Sequence, residues 1–133
     1  MDLSEELIET LLGTARKARE NAFPPFSHFP VGAAVLTSKG TMFSGCNIEN
    51  ASFGLTVCAE RVAIFKAISE GEKDFLALAI SAPIIVPPCG ACLQVLSQFV
   101  SSPEEFLIIS CDEEDRIAKW TLVQLFPHPF SHF

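Results

Sequence analysis

The sequence predicts an α/β fold: a mixed five-stranded sheet with helices on both faces, making three layers. Three observations carry this. Residues 75–81 (FLALAIS) form an apolar run that suits a central strand covered on both sides. Two short strand-like runs, 31–37 and 41–46, flank a three-residue turn and read as a hairpin. Elsewhere, strand-like and helix-like runs alternate, and strands joined through helices imply right-handed crossovers.

The elements follow in order. Leu7, Ile8, Leu11, Leu12, Ala15 and Ala18 recur at three- and four-residue spacing, which predicts an opening helix. Asp2 or Ser4 can cap it, Glu5 and Glu6 suit its first turn, and Asn21 with Pro24-Pro25 stops it. Ser38-Lys39-Gly40 supplies the hairpin turn. Residues 47–57 show no clear period and read as loop. A helix is predicted over 59–69, with Gly71 as its C-terminal cap. After strand 75–81, Pro87-Pro88 precede a helix over about 89–99. Residues 106–111 read as a buried strand, 112–115 as a polar turn, 117–120 as a fifth strand, and a short helix follows from Thr121.

The composition narrows the function classes. A length of 133 residues suits one domain over 1–133. Twelve Phe residues and a charged fraction of only 19% argue against disorder. The acid excess, 16 Asp+Glu against 9 Lys+Arg, argues against a nucleic-acid partner gripped through its phosphates. A hydrophobic fraction of 49% and a mean hydropathy of +0.35 are high for a small monomer, so subunit interfaces or a membrane must cover some surface. The longest apolar stretch, 75–86, contains Ser81 and Pro83 and is too short to span a bilayer. The acidic start MDLSEELIET does not resemble a signal peptide. We therefore expect a cytoplasmic protein without a membrane partner. There, five cysteines point to metal or catalytic roles over disulfides.

Three runs stand out: Cys58-Ala59-Glu60, Pro88-Cys89-Gly90-Ala91-Cys92 and Gly45-Cys46-Asn47-Ile48-Glu49-Asn50. Cys58 and the Cys89/Cys92 pair fall at the N-terminal ends of two predicted helices. Free N–H groups and the positive dipole end stabilise thiolates there, and thiolates bind metals. Three protein ligands leave zinc one open position, the mark of a catalytic site. Glu60, two residues after Cys58, is placed to take a proton from water at that position and pass it to a substrate. A redox dithiol would need neither Cys58 nor Glu60. A structural zinc would need a fourth ligand, and none of His28, His128 and His132 has knuckle spacing from the pair. Cys46 and Cys111 read as small buried hydrophobes.

These runs, with Phe26-Ser27-His28-Phe29-Pro30-Val31-Gly32-Ala33-Ala34 and the extension of Cys58-Ala59-Glu60 to Arg61, resemble the cytidine deaminases of the small homotetrameric, three-cysteine zinc type. The resemblance is dense over residues 22–96 and returns at Leu125-Phe126-Pro127-His128-Pro129-Phe130. It implies a cytidine deaminase-like fold, one zinc ion per subunit, a nucleoside substrate and a homotetramer with shared sites. It implies Cys58, Cys89 and Cys92 as metal ligands, with Glu60 as the catalytic proton shuttle. Asn47 and Glu49 match groups that bind the ribose hydroxyls, and Phe29 matches the aromatic beside the pyrimidine. The Ala59 backbone matches the contact to the base carbonyl, and Arg61 a residue beside the thiolates. Phe130 matches an aromatic that reaches a neighbouring subunit's site, and a plug in its own subunit is the alternative.

One position departs from the family pattern. Relatives commonly carry Arg directly after the second Cys of the pair, where this chain has Leu93 followed by Gln94. Three thiolates, a divalent zinc and a hydroxide leave about −2 on the core of the site, to be balanced by Arg61 and the helix ends. Other readings are deamination of a different cytosine compound such as blasticidin S, editing of DNA or RNA, and a zinc-stabilised binding module. The intact Asn47-Ile48-Glu49-Asn50 run favours plain nucleosides, the net charge of −7 disfavours polynucleotides, and Glu60 disfavours a binding module.

Overall fold

The structure is a computed structural model that describes residues 3–131. Helix α1 (Glu5–Arg19) begins at Ser4, whose hydroxyl accepts a hydrogen bond from the Leu7 N–H at 3.1 Å. Asp2, the other expected cap, and His132 lie outside the described residues. Strands β1 (Gly32–Thr37) and β2 (Met42–Cys46) form the expected hairpin. A 3₁₀ turn (Phe53–Leu55) sits within the expected loop. Helix α2 (Ala59–Ser69) and strand β3 (Phe75–Ser81) follow as the sequence predicts. Gly71 closes α2 at φ +89°: its N–H bonds to the Ile68 carbonyl and the Glu72 N–H to the Ala67 carbonyl, the six-to-one pattern of a Schellman cap.

Helix α3 (Gly90–Ser97) is shorter than expected at both ends. Cys89 is its N-cap and not its first turn. At the other end, the Phe99 carbonyl leaves the helix to accept the Phe75 N–H at 3.1 Å. Strands β4 (Leu107–Cys111) and β5 (Ile117–Thr121) and helix α4 (Leu122–Leu125) complete the chain, with Thr121 capping α4 through a reciprocal bond with Gln124.

The sheet order is β2-β1-β3-β4-β5, parallel only between β3 and β4. Side chains alternate across it. Ala34, Leu36, Ala77, Ala79 and Ile109 face α1 through Leu11, Leu12 and Ala15. Ala33, Val35, Leu78, Ile80 and Ile108 face α2 and α3 through Ala59, Ala63, Ile64, Leu93 and Leu96. Leu11 and Leu12 are fully buried. At about 1.5–3 kcal/mol each, such burial outweighs the weak intrinsic preference of a 15-residue helix, so the sheet holds α1 in place.

Strands β2, β3 and β4 run in the same direction, because each of β2 and β3 pairs antiparallel with β1. Their C-terminal ends share one edge, and α2 and α3 both begin beside it. Gly45 lets α2 lie directly on β2. A Cβ there would stand 2.6 Å from the Ala63 nitrogen and 2.7 Å from the Ala59 oxygen. The same edge therefore carries two helix N-termini over the end of the sheet.

Candidate active site

Both helices open on a cysteine with extended backbone: Cys58 caps α2 (φ −69°, ψ 152°) and Cys89 caps α3 (φ −71°, ψ 168°). Neither thiol accepts a backbone N–H of its own helix, as a cap side chain usually does. The sulfurs meet each other instead. Cys58 Sγ lies 3.7 Å from Cys89 Sγ, which lies 3.6 Å from Cys92 Sγ. All three lie within 4.8 Å of one another. A tetrahedral zinc ion with bonds of about 2.3 Å separates its sulfurs by about 3.8 Å. The thiols fit that ion, and both helix ends favour the thiolate form that would hold it. Cys92 is buried, Cys58 half-buried and Cys89 exposed, so the cluster has one side toward solvent.

The three thiols are electrostatically unequal. A hydrogen bond from Cys92 holds the Cys58 thiol at about 5, against its burial and with help from Arg61 and Cys89. Cys92 is pushed well up by that bond to Cys58 and by burial. Arg61 Nη2 donates to Cys58 Sγ at 3.6 Å, while Arg61 Nε is buried without a hydrogen-bond partner. Glu60 occupies the first turn of α2 and is only 5% exposed. Burial pushes its carboxyl up to about 7. The Cys58 charge adds to the rise, and its own backbone N–H and Cys92 oppose it. A carboxyl poised there can both take and give a proton near neutral pH.

Asn47, Glu49 and Ala59 follow the C-terminal end of β2 or open α2, on the same edge. Asn47 directly follows β2 and is 8% exposed. Its Oδ1 accepts the Val31 N–H at 2.9 Å and its Nδ2 donates to the Phe29 carbonyl at 2.8 Å. The side chain thus continues the ladder beyond Cys46 and holds the backbone that carries Phe29. One N–H and one lone pair remain on the amide. Glu49 accepts from the Phe26 and Ser27 N–H groups at 2.9 and 3.0 Å, and from the Ser27 hydroxyl. These bonds, that of the Ser27 hydroxyl foremost, hold its carboxyl below the usual range. Ala59 is the first residue of α2 and fully buried, and its N–H is among the unpaired donors of a helix start. The Phe130 ring is 64% exposed. Leu93 packs into the core against α2. Cys111 is buried in the opposite core layer and Cys46 is half-buried at the end of β2, and neither joins the cluster.

Four roles escape sequence reasoning. Ser27 braces Glu49, Arg19 donates to the Pro30 carbonyl at 3.1 Å, Gly45 admits α2, and Gln94 contacts Phe130. Their partners lie between 11 and 36 residues away in the chain for the three that act through hydrogen bonds. No local pattern announces such pairs.

Known proteins place this site in context. The family model for the cytidine and deoxycytidylate deaminase zinc-binding region matches residues 5–107. The chain is 44% identical over 126 residues to a cytidine deaminase of Sporosarcina psychrophila, covering 93% of this chain and 91% of that one. It is 44% identical over 125 residues to one of Halalkalibacterium halodurans, covering 92% and 93%. The crystal structure of cytidine deaminase from Burkholderia pseudomallei superposes with a TM-score of 0.86 at 36% identity, covering 96% of this chain and all of that one. That shared architecture, together with three thiols at zinc spacing beside a buried glutamate, leaves one assignment: the chain belongs to the cytidine deaminase family of zinc-dependent hydrolases.

Proposed function

We propose that this chain catalyses the hydrolytic deamination of cytidine and 2′-deoxycytidine to uridine and 2′-deoxyuridine, releasing ammonia, as a cytoplasmic enzyme of pyrimidine salvage. It acts on a cyclic amidine within one catalytic domain over 1–133. The observation that carries this reading is the buried Glu60 carboxyl beside the thiol cluster. Cys58, Cys89 and Cys92 would hold one zinc ion per subunit. When bound, zinc supplies a Lewis acid and an acidified water at its open position.

Glu60 is the proton carrier. Its carboxylate takes the proton of the attacking water and delivers it to ring N3, which makes C4 electrophilic. The new C4–O bond leaves C4 tetrahedral; Glu60 then takes the proton of the new C4 hydroxyl and passes it to the amino group, so that the C4 carbonyl forms as the C4–N4 bond breaks and ammonia leaves. Arg61 offsets thiolate charge through its contact with Cys58. The Ala59 N–H binds the base carbonyl, and Phe29 lies against the ring. Asn47 and Glu49 bind the ribose hydroxyls with the lone pairs and the N–H that their backbone bonds leave spare.

The homotetramer is supported by exposed apolar side chains on one side of the molecule. Ile48, Leu55 and Phe65 line a groove with Val57 and Val62. Phe26 and Phe53 stack edge to face nearby, at 5.7 Å. A patch of this kind on a small protein marks an interface. In that assembly Phe130 reaches a shared site. No helix among the described residues is long and apolar enough to cross a membrane.

Ammonia release from cytidine, measured with and without a zinc chelator, tests the reaction. Chelator-sensitive release supports it, and absence of release from both nucleosides overturns it. Sizing by light scattering tests assembly, where a stable active monomer would remove both the tetramer and the shared role of Phe130.

A further inference from the structure

Gln94 lies two residues beyond Cys92 on α3, and both ends of its amide are engaged. Its Nε2 donates to the Phe130 carbonyl at 2.8 Å, and its Oε1 accepts the Phe130 N–H at 3.3 Å. A side-chain amide that gives and receives with one backbone residue imitates a ladder pair. Asn47 does the equivalent for the other aromatic of the site, through the Phe29 carbonyl and the Val31 N–H. The two expected substrate-binding phenylalanines are thus each carried on backbone seized by a side-chain amide, one rooted at the end of β2 and one in the thiol-bearing helix.

The need differs between the two. Phe29 precedes β1, so a strand continues its course. After α4 ends at Leu125, residues 126–131 adopt no helix or strand. The Phe130 ring is mostly exposed, so burial does not set its place. The Gln94 amide ties that segment to the helix that supplies Cys89 and Cys92.

We infer that Gln94 is a positioning residue for binding of the pyrimidine nucleoside: it registers the C-terminal segment against α3 and so fixes where Phe130 is presented. This rests on the reading of Phe130 as a site aromatic, and it holds whichever subunit's site receives the ring. Gln94 touches no reacting atom and acts through Phe130 alone.

The test compares zinc-loaded parent, Gln94→Ala, Phe130→Ala and the double variant. Two neutral hydrogen bonds lost from a half-exposed site correspond to about a tenfold effect. Gln94→Ala should raise KM for cytidine about tenfold, with kcat changed less than about threefold and zinc content unchanged. Phe130→Ala should raise KM comparably, and the double variant should be no worse than Phe130→Ala. Backbone hydrogen exchange at Phe130 should accelerate in Gln94→Ala, with the α3 amides unaffected. Additive KM effects, unchanged exchange at Phe130, or loss of zinc from Gln94→Ala each overturn the inference. If the parent fails to deaminate cytidine, the functional reading falls while the exchange measurement still decides whether Gln94 orders the segment.

Discussion

Cys58, Cys89 and Cys92 hang from the starts of two helices whose bodies are set in the core, whereas Phe29, Glu49 and Phe130 ride on backbone held by side-chain hydrogen bonds. The first region is fixed by packing: Ala59, Ala63, Ile64, Leu93 and Leu96 seat α2 and α3 against the sheet. The second is fixed by polar pairing at the rim, where Asn47, Ser27, Arg19 and Gln94 replace missing secondary structure. Packing is insensitive to the loss of one polar group but sensitive to volume. Polar pairing has the opposite weakness. Under the proposed function, chemistry that needs sulfurs within a few tenths of an ångström would sit in the packed region, and recognition of a substrate that must enter and leave in the paired one.

The largest effect expected in the packed region is chemical and leaves structure intact. Glu60→Gln keeps shape and removes the proton carrier, so kcat should fall by at least about a thousandfold while zinc content and KM stay near the parent's. Retained turnover would take the proton role away from Glu60. The same variant has a stability signature in metal-free protein. The folded Glu60 pKa, about 7, lies above the value of 4.5 for the free carboxyl. Burying the ionised form therefore costs nothing below about pH 4.5, costs more as pH rises through this window, and is complete above 7. In chelator, Glu60→Gln should gain about 3 kcal/mol over the parent at pH 8 and less than about 1 kcal/mol at pH 5, read by urea titration.

Volume is the next lever. Gly45→Ala drives a methyl group into the backbone of α2, with contacts of 2.6 and 2.7 Å to relieve. Stability should drop by about 2–3 kcal/mol, and zinc affinity should fall with it, because the helix that moves carries Cys58. If zinc affinity is preserved in a destabilised variant, the thiol cluster is less dependent on packing than the comparison holds.

Asn47→Ala is the matching blow to the rim. It leaves the Val31 N–H and Phe29 carbonyl without their partner, at a cost of about 2 kcal/mol. KM for cytidine should rise while zinc content is unchanged. Loss of zinc from this variant would erase the division between the two regions.

The smallest change expected is Leu93→Arg, which introduces the side chain that the family resemblance leads one to expect at this position. Leu93 is 7% exposed, in the core beside α2. An arginine there adds positive charge near the thiolates, so the pH–rate profile should shift toward lower pH and zinc should bind tighter, read by chelator competition. An unchanged profile would leave Arg61 and the helix ends sufficient without it.

The packed region was the legible one. The apolar runs of β3 and α2, and the glycine behind α2, are local signals. Cysteine spacing likewise announced the cluster. The sequence places the start of α3 one residue early because its cap is a cysteine, which does not resemble the Ser, Thr, Asp or Asn of an ordinary start. The rim was legible only as residue types. Asn47 could be matched to a sugar-binding role, but its hold on Phe29 and Val31 depends on how β1 and β2 pair. Gln94 and Phe130 are 36 residues apart and meet only once α3 and the C-terminal segment are in place.

Cys58 and Cys89 stand 31 residues apart in the chain, with the whole of α2 and β3 between them. Any ion that grips both sulfurs closes that stretch into a ring. A covalent link across a loop of this size restricts the denatured chain by roughly 3–4 kcal/mol of configurational entropy. A bound ion would thus act as a rivet for the fold as well as a reagent, and stripping it should loosen α2 and α3 together while α1, on the far side of the sheet, keeps its seat.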